Sequence, residues 1–188
     1  MYCPPSMERS GSFKPLVLLK WGTLTVSEGL VYMRPRSLLG VQARSSHDDD
    51  VLHAWSRLNE WVLRKSLAHE VEIGYGLVGN GDGVRYCASI EQPESVTSAE
   101  ADELARASLQ GGAYLRSRFI GPVEEIPNQL SSMLQSLGAV GNMRLDRDRP
   151  MVNVFLDIRN LKAGRDVRSN LLIPVCGTEL AKSPSKAA

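Results

Sequence analysis

Asn153 and Phe155 lie two positions apart in Met151 to Asp157, a mostly apolar run that predicts a strand. Side chains two apart on a strand share a face, so the amide and the ring act together. That pair suits recognition of a small molecule. The ring supplies stacking and apolar burial, and the amide supplies hydrogen bonds of fixed direction. It does not suit proton transfer, because an amide is no general base in the ordinary range. With Val152 and Val154 turned toward a covering helix, Asn153 and Phe155 turn toward a cleft. Tyr75, eighty positions earlier, is the counterpart of Phe155 in the first half of the chain. Its facing depends on a register that Gly74 and Gly76 can shift by one residue. The same glycines leave room for a ligand or for close backbone packing. Trp55 and Trp61 stand six apart on a predicted helix and point about 120° apart. Either one ring is core and the other lies at its edge, or one of them, Trp55, walls the cleft and stacks on a planar ligand. Tyr86 and Tyr114 are the remaining aromatic candidates for the cleft.

Other chemistries find little support. His47, His53 and His69 have no second ligand at metal-binding spacing, so no metal site is expected. Cys3, Cys87 and Cys176 are far apart, contain no C-x-x-C, and read as free thiols of a reducing cytoplasm. No serine sits in a G-x-S-x-G elbow. The glycine-rich run Gly79-Asn80-Gly81-Asp82-Gly83 leaves one strand and enters another; a phosphate-binding loop needs a following helix, so this is a hairpin turn and no cofactor is expected. Glu124 and Glu125, adjacent at a helix start, read as helix-dipole chemistry rather than a catalytic pair. Arg144 to Arg149 (RLDRDR) reads as a solvated loop of mixed charge. A net charge of +1 argues against direct nucleic-acid binding. No apolar run approaches the roughly 18 residues of a membrane span, and no secretory signal is evident. The expected location is the cytoplasm.

These side chains need elements to hold them. The 188 residues are 43% hydrophobic and 23% charged, enough for one domain or two tightly packed modules. Residues 1–27 form an N-terminal extension with a possible hairpin around Gly22. Leu30 to Met33 and Leu38 to Ala43 predict strands, separated by a bend at Pro35. Asp48, Asp49 and Asp50 open a helix whose stripe is Val51, Trp55, Leu58 and Val62. Val71 to Val78 and Val84 to Ile90 predict a strand pair. Glu100 to Ala107 predicts a short connecting helix. Ala113 to Ile120 predicts a strand, Gly121 to Ile126 opens a helix that runs to Leu137, and Met151 to Asp157 and Asn170 to Val175 predict a second pair. The helices align without a gap at an offset of 75, placing Asp49 on Glu124, Trp55 on Leu130, Leu58 on Met133 and Val62 on Leu137. The expected fold is therefore α+β: two pseudo-symmetric strand-helix-strand-strand modules, residues 28–95 and 113–176, forming a cleft. A connector (96–112) joins them and a flexible tail (177–188) follows.

The segments Ser37 to Arg44 with His47 to Val62, Gly111 to Tyr114, Gly121 to Pro127, Met151 to Asp157 and Asn170 to Val175 together resemble the GyrI-like effector-binding domains. The resemblance runs from about residue 28 to 176. It implies a small-molecule-binding fold, shared with the sensor halves of drug-responsive activators such as BmrR and Rob. Others stand alone, as the gyrase-inhibitory protein does, and a subset hydrolyses cyclopropane-bearing antibiotics. This chain looks like a stand-alone member, with multidrug binding and antibiotic resistance the implied context. One departure stands out. Where the family's penultimate strand often reads Glu-Ile-Tyr or Glu-Val-Tyr, this chain has Asn153-Val154-Phe155, which removes the carboxylate expected to meet a cation or to serve hydrolysis. Three readings follow: a binding protein for a flat aromatic or drug-like ligand; a hydrolase that would have to use Glu72 and Tyr75; and a protein-interaction module that modulates a partner such as gyrase. Oligomeric state stays open.

Overall fold

The computed structural model describes residues 29–43, 45, 47–79, 86–139, 143–162 and 164–177. The extension 1–27, positions 80–83 of the expected hairpin turn, and the tail beyond 177 lie outside the described residues.

Alternating apolar side chains build the strands β1 (Gly29–Met33), β2 (Arg36–Gln42), β3 (Gly74–Val78), β4 (Tyr86–Glu91), β5 (Ala105–Leu109), β6 (Gly112–Pro122), β7 (Met143–Leu145), β8 (Met151–Phe155) and β9 (Asp166–Gly177). The helices are α1 (Asp48–Arg64), α2 (Ser98–Ala101) and α3 (Ile126–Ala139). The sheet is antiparallel, in the order β1-β6-β9-β8-β3-β4-β2-β5, with β7 pairing β9 off this path. The β3–β8 pair joins the two halves and sets Gly74 opposite Phe155 and Gly76 opposite Asn153. The fold is thus α+β, as expected. Among the described residues, no helix is long and apolar enough to cross a membrane.

Helical spacing places both apolar stripes on one side of the sheet. Trp55, Leu58 and Val62 of α1 and Leu130, Met133 and Leu137 of α3 are all buried, in one core with Ala88, Ile90, Phe155, Leu171 and Ile173. A second, smaller cluster occupies the opposite face: Leu38, Tyr75, Leu77, Leu109, Tyr114, Val152, Val154 and Leu172. The sheet is therefore apolar on both sides, and α1 and α3 cover one of them.

Two expected elements need correction. The helix over Glu100 to Ala107 is a single turn, α2, closed by a capping box between Thr97 and Glu100. Residues 105–109 instead form β5, pairing Leu38 with Ala107 and Arg36 with Leu109. The open edge of β2 offers unpaired backbone groups, and Leu109 gains full burial on it; together these outweigh the helix propensity of an alanine-rich segment. The RLDRDR loop is partly strand, β7, and Arg149 within it is buried. Its guanidinium donates to the carbonyls of Gly111, Ala113 and Val175 and to Asp146 Oδ2, and lies 4.9 Å over the Tyr114 ring. Gly112, at φ 135°, is shaped for that neighbour: a Cβ there would overlap the guanidinium. Helix α1 opens at Asp48 as expected; Asp50 of its first turn accepts from the Ser45 hydroxyl, and the side chain of His47 before it caps no amide.

A candidate binding groove between the two helices

The expected orientation of β8 is inverted, with a useful consequence. Val152 and Val154 face away from the helices, and Asn153 and Phe155 face toward them. The cleft therefore lies on the helix side of the sheet. It is a cavity of about 280 Å³, a little below the ordinary range for small-molecule sites. Helix α1 contributes Val51 and Leu52. The 3-10 turn Val123–Glu125 and α3 contribute Val123, Glu124, Ile126, Pro127, Leu130, Ser131 and Leu134. The floor is Val78, Tyr86, Met151, Asn153 and Phe155.

Buried aromatic rings fix the floor from behind. Trp55, fully buried, donates its indole N–H to the Tyr86 hydroxyl at 2.8 Å and meets Phe155 edge to face, 5.2 Å between centroids at 80°. Gly74 and Gly76 make room for these rings rather than for a ligand. A Cβ at Gly74 would stand 2.7 Å from the Trp55 ring, and one at Gly76 would overlap the Tyr86 hydroxyl. Gly76→Ala should therefore lower stability by about 2 kcal/mol or more, measurable by urea unfolding, because the ring set has nowhere to move. Burial pushes the Tyr86 phenol well above its ordinary pKa, so it stays protonated.

Two polar atoms interrupt this apolar wall. Asn153 is buried, and among the described residues its Oδ1 has no hydrogen-bond partner. Glu124 Oε1 accepts from the Gly164 amide at 2.8 Å, while Oε2 is buried without a hydrogen-bond partner among the described residues. The Glu124 backbone amide, then that of Gly164, bond the carboxylate and hold it below the usual carboxylate range, so it is ionised at neutral pH.

The structure thus gathers Tyr86, Asn153 and Phe155 at the groove, with Trp55 buried behind them. The other candidates lie elsewhere. Tyr75 is on the opposite face, its hydroxyl 3.5 Å from Glu91 Oε1 and Arg36 5.9 Å over its ring. Tyr114 is on that face too, fully buried, its hydroxyl donating to the Gln110 carbonyl at 3.1 Å. Glu72 is exposed in the segment before β3 and borders, with Tyr75, a shallow polar depression away from the groove. A Glu72–Tyr75 pair therefore does not meet a ligand held between the helices. Leu130 belongs to the stripe read from the sequence, and Ile126 and Leu134 line the groove at the same helical spacing. Glu124 was legible only as an acid at a helix start, since which way a short turn aims its carboxylate is not written in spacing. Among the described residues, no cluster of three His, Cys, Asp or Glu could hold a metal, and Cys87 and Cys176 are free thiols.

No family model and no curated protein matches this sequence. Solved structures do match in fold. The C-terminal domain of EcmrR superposes with a TM-score of 0.57 at 9% identity, covering 82% of this chain and all of that one. A hydrolase from Listeria innocua superposes at 0.53 and 13% identity, covering 79% and 91%. SAV2435 bound to tetraphenylphosphonium superposes at 0.53 and 10% identity, covering 79% and 93%. At these identities the likeness establishes a shared fold.

Proposed function

We propose that this chain is a small-molecule-binding protein of the GyrI-like kind, holding a largely apolar, drug-sized ligand between α1 and α3. The observation that carries the proposal is the groove itself: a cavity walled almost wholly by apolar side chains, with the Asn153 side chain on its floor. Affinity comes from apolar burial against Leu130, Leu134 and Phe155, and orientation from Asn153.

The modules proposed from sequence fit the strand order. Residues 28–95 supply β3-β4-β2 and residues 113–176 supply β6-β9-β8, meeting at β3 and β8. The edge strands cross over: β1, at the start of the first module, pairs with β6 of the second, and β5, in the connector, pairs with β2 of the first. In this reading the two modules are interleaved around a groove between their helices. Binding by SAV2435 of tetraphenylphosphonium, on the same fold, is in keeping with such a role.

Titration with Nile red, a neutral apolar dye that brightens out of water, tests this directly. Saturable brightening with 1:1 stoichiometry is expected. Ser131→Trp, on an exposed position of α3 that lines the groove, should weaken it about tenfold or more with unchanged thermal stability. A dye that never brightens, or that binds the Trp variant equally well, rules the groove out.

A further inference from the structure

Strand β6 outruns its neighbour β1. Their ladder begins with Gly29 opposite Arg116, while β6 continues to Pro122. Residues 117–122 pair with residues 166–171 of β9 along one edge. Among the described residues no strand meets their other edge. A free edge presents unpaired backbone N–H and C=O groups, which folded proteins ordinarily cover or blunt. One face of the same stretch is also bare. Ser117 and Phe119 are buried on the helix side, whereas on the opposite face Arg118 is exposed and Ile120 is 74% exposed. The edge runs without a break into the turn Val123–Glu125 that lines the groove.

The chain itself leads to this edge. Glu28 is bonded to Gly29, so the residues before β1 reach it with no linker, in a register the ladder already sets. Continuing that ladder places Glu28 opposite Ser117, Val26 opposite Phe119 and Thr25 opposite Ile120. The sequence suits the position. Thr23-Leu24-Thr25-Val26 alternates polar and apolar residues and is rich in β-branched side chains, the pattern of a half-buried strand. Even-numbered positions of β1 oppose Ala113 and Leu115, which pack in the helix-side core. The same alternation puts Leu24 and Val26 on that side, and the threonines on the side of Ile120. We infer that residues 23–28 continue β1 along the free edge of β6, so that the occupant of this edge is the chain's own N-terminal segment. A strand from a second copy has no preset register and must also give up its translational freedom, a cost that tethering removes.

Paired cysteines read the register in the full chain. Thr25→Cys with Ile120→Cys, in a Cys3→Ser background, should form an intrachain disulfide under mild oxidation, because directly opposed strand residues lie within disulfide reach. Leu24→Cys with Ile120→Cys places the two thiols on opposite faces and should bridge about tenfold more slowly or not at all. Peptide mass mapping identifies the bridge formed. Equal rates for the two pairs mean a segment without register and overturn the inference. Bridges between chains give the edge to a second copy and overturn it equally. Hydrogen exchange of the unaltered chain needs no variant: alternate amides within residues 23–28 should exchange as slowly as those of β1. Exchange as fast as in an unstructured peptide removes the docked strand. Neither experiment involves a groove ligand, so its outcome is independent of dye binding.

Discussion

Trp55→Ala should lower the free energy of unfolding by about 3–5 kcal/mol and the midpoint of thermal unfolding by roughly 8–16 °C. The side chain is fully buried and supports the groove floor in two ways. Its ring meets that of Phe155 edge to face, and its N–H donates to the Tyr86 hydroxyl. Truncation leaves a cavity the size of an indole under β3 and β8, and it strips a buried phenol of its donor. Trp55→Phe separates the contributions, since it keeps most of the ring volume and loses only the hydrogen bond; about 1–2 kcal/mol is expected there. Nile red binding should fall in the alanine protein even at temperatures where it remains folded, because Tyr86 and Phe155 then lose their fixed positions. An alanine variant as stable as wild type would mean that the floor is not packed as described.

Arg149→Met should destabilise by a similar amount, about 3–5 kcal/mol, although it keeps an unbranched apolar stem in the same place. The guanidinium joins two separate pieces of backbone: the carbonyls of Gly111 and Ala113, around the start of β6, and that of Val175 near the end of β9. Methionine replaces only the apolar stem and leaves these acceptors and the Asp146 carboxylate to find water. Lysine should rescue little, because one ammonium cannot reproduce the planar fork. The pH dependence carries a second signature. The hydrogen bond from Arg149, ahead of the Asp148 amide and the Arg149 and Arg144 charges, holds the Asp146 carboxyl below its ordinary value. A group whose folded pKa is lowered contributes stability above its unfolded pKa and loses it as pH falls through the folded one. Wild type should therefore lose stability on acidification below the ordinary carboxylate range, and Arg149→Met should show a shallower loss over the same window in urea unfolding.

The two helices and most of the strands were legible because their evidence is local. Trp55, Leu58 and Val62 recur at helical spacing, as do Leu130, Met133 and Leu137, and all six are buried where that spacing puts them. Asn153 and Phe155 share a face because strand geometry requires it. What spacing does not carry is sign. Val152 and Val154 are as apolar as the residues beside them, and only the arrival of α1 and α3 on one side decided which pair faced the groove. That same choice sent Tyr75 and Tyr114 to the far face.

Residues 105–109 and Arg149 show the limit more sharply. Ala105 to Leu109 has helix-forming composition, and Arg149 belongs to a run of charges that ordinarily stays in water. Each was decided by partners distant in sequence: an open edge on β2 for one, and carbonyls of β6 and β9 for the other. Glu124 belongs with them, since its placement depends on Gly164 and on walls contributed by two helices and three strands. Periodicity by itself determined which elements form and which side chains travel together. Facing, edge pairing and the aim of single polar groups came only from the tertiary structure, because the energies that settle them lie in contacts the chain makes after it has folded.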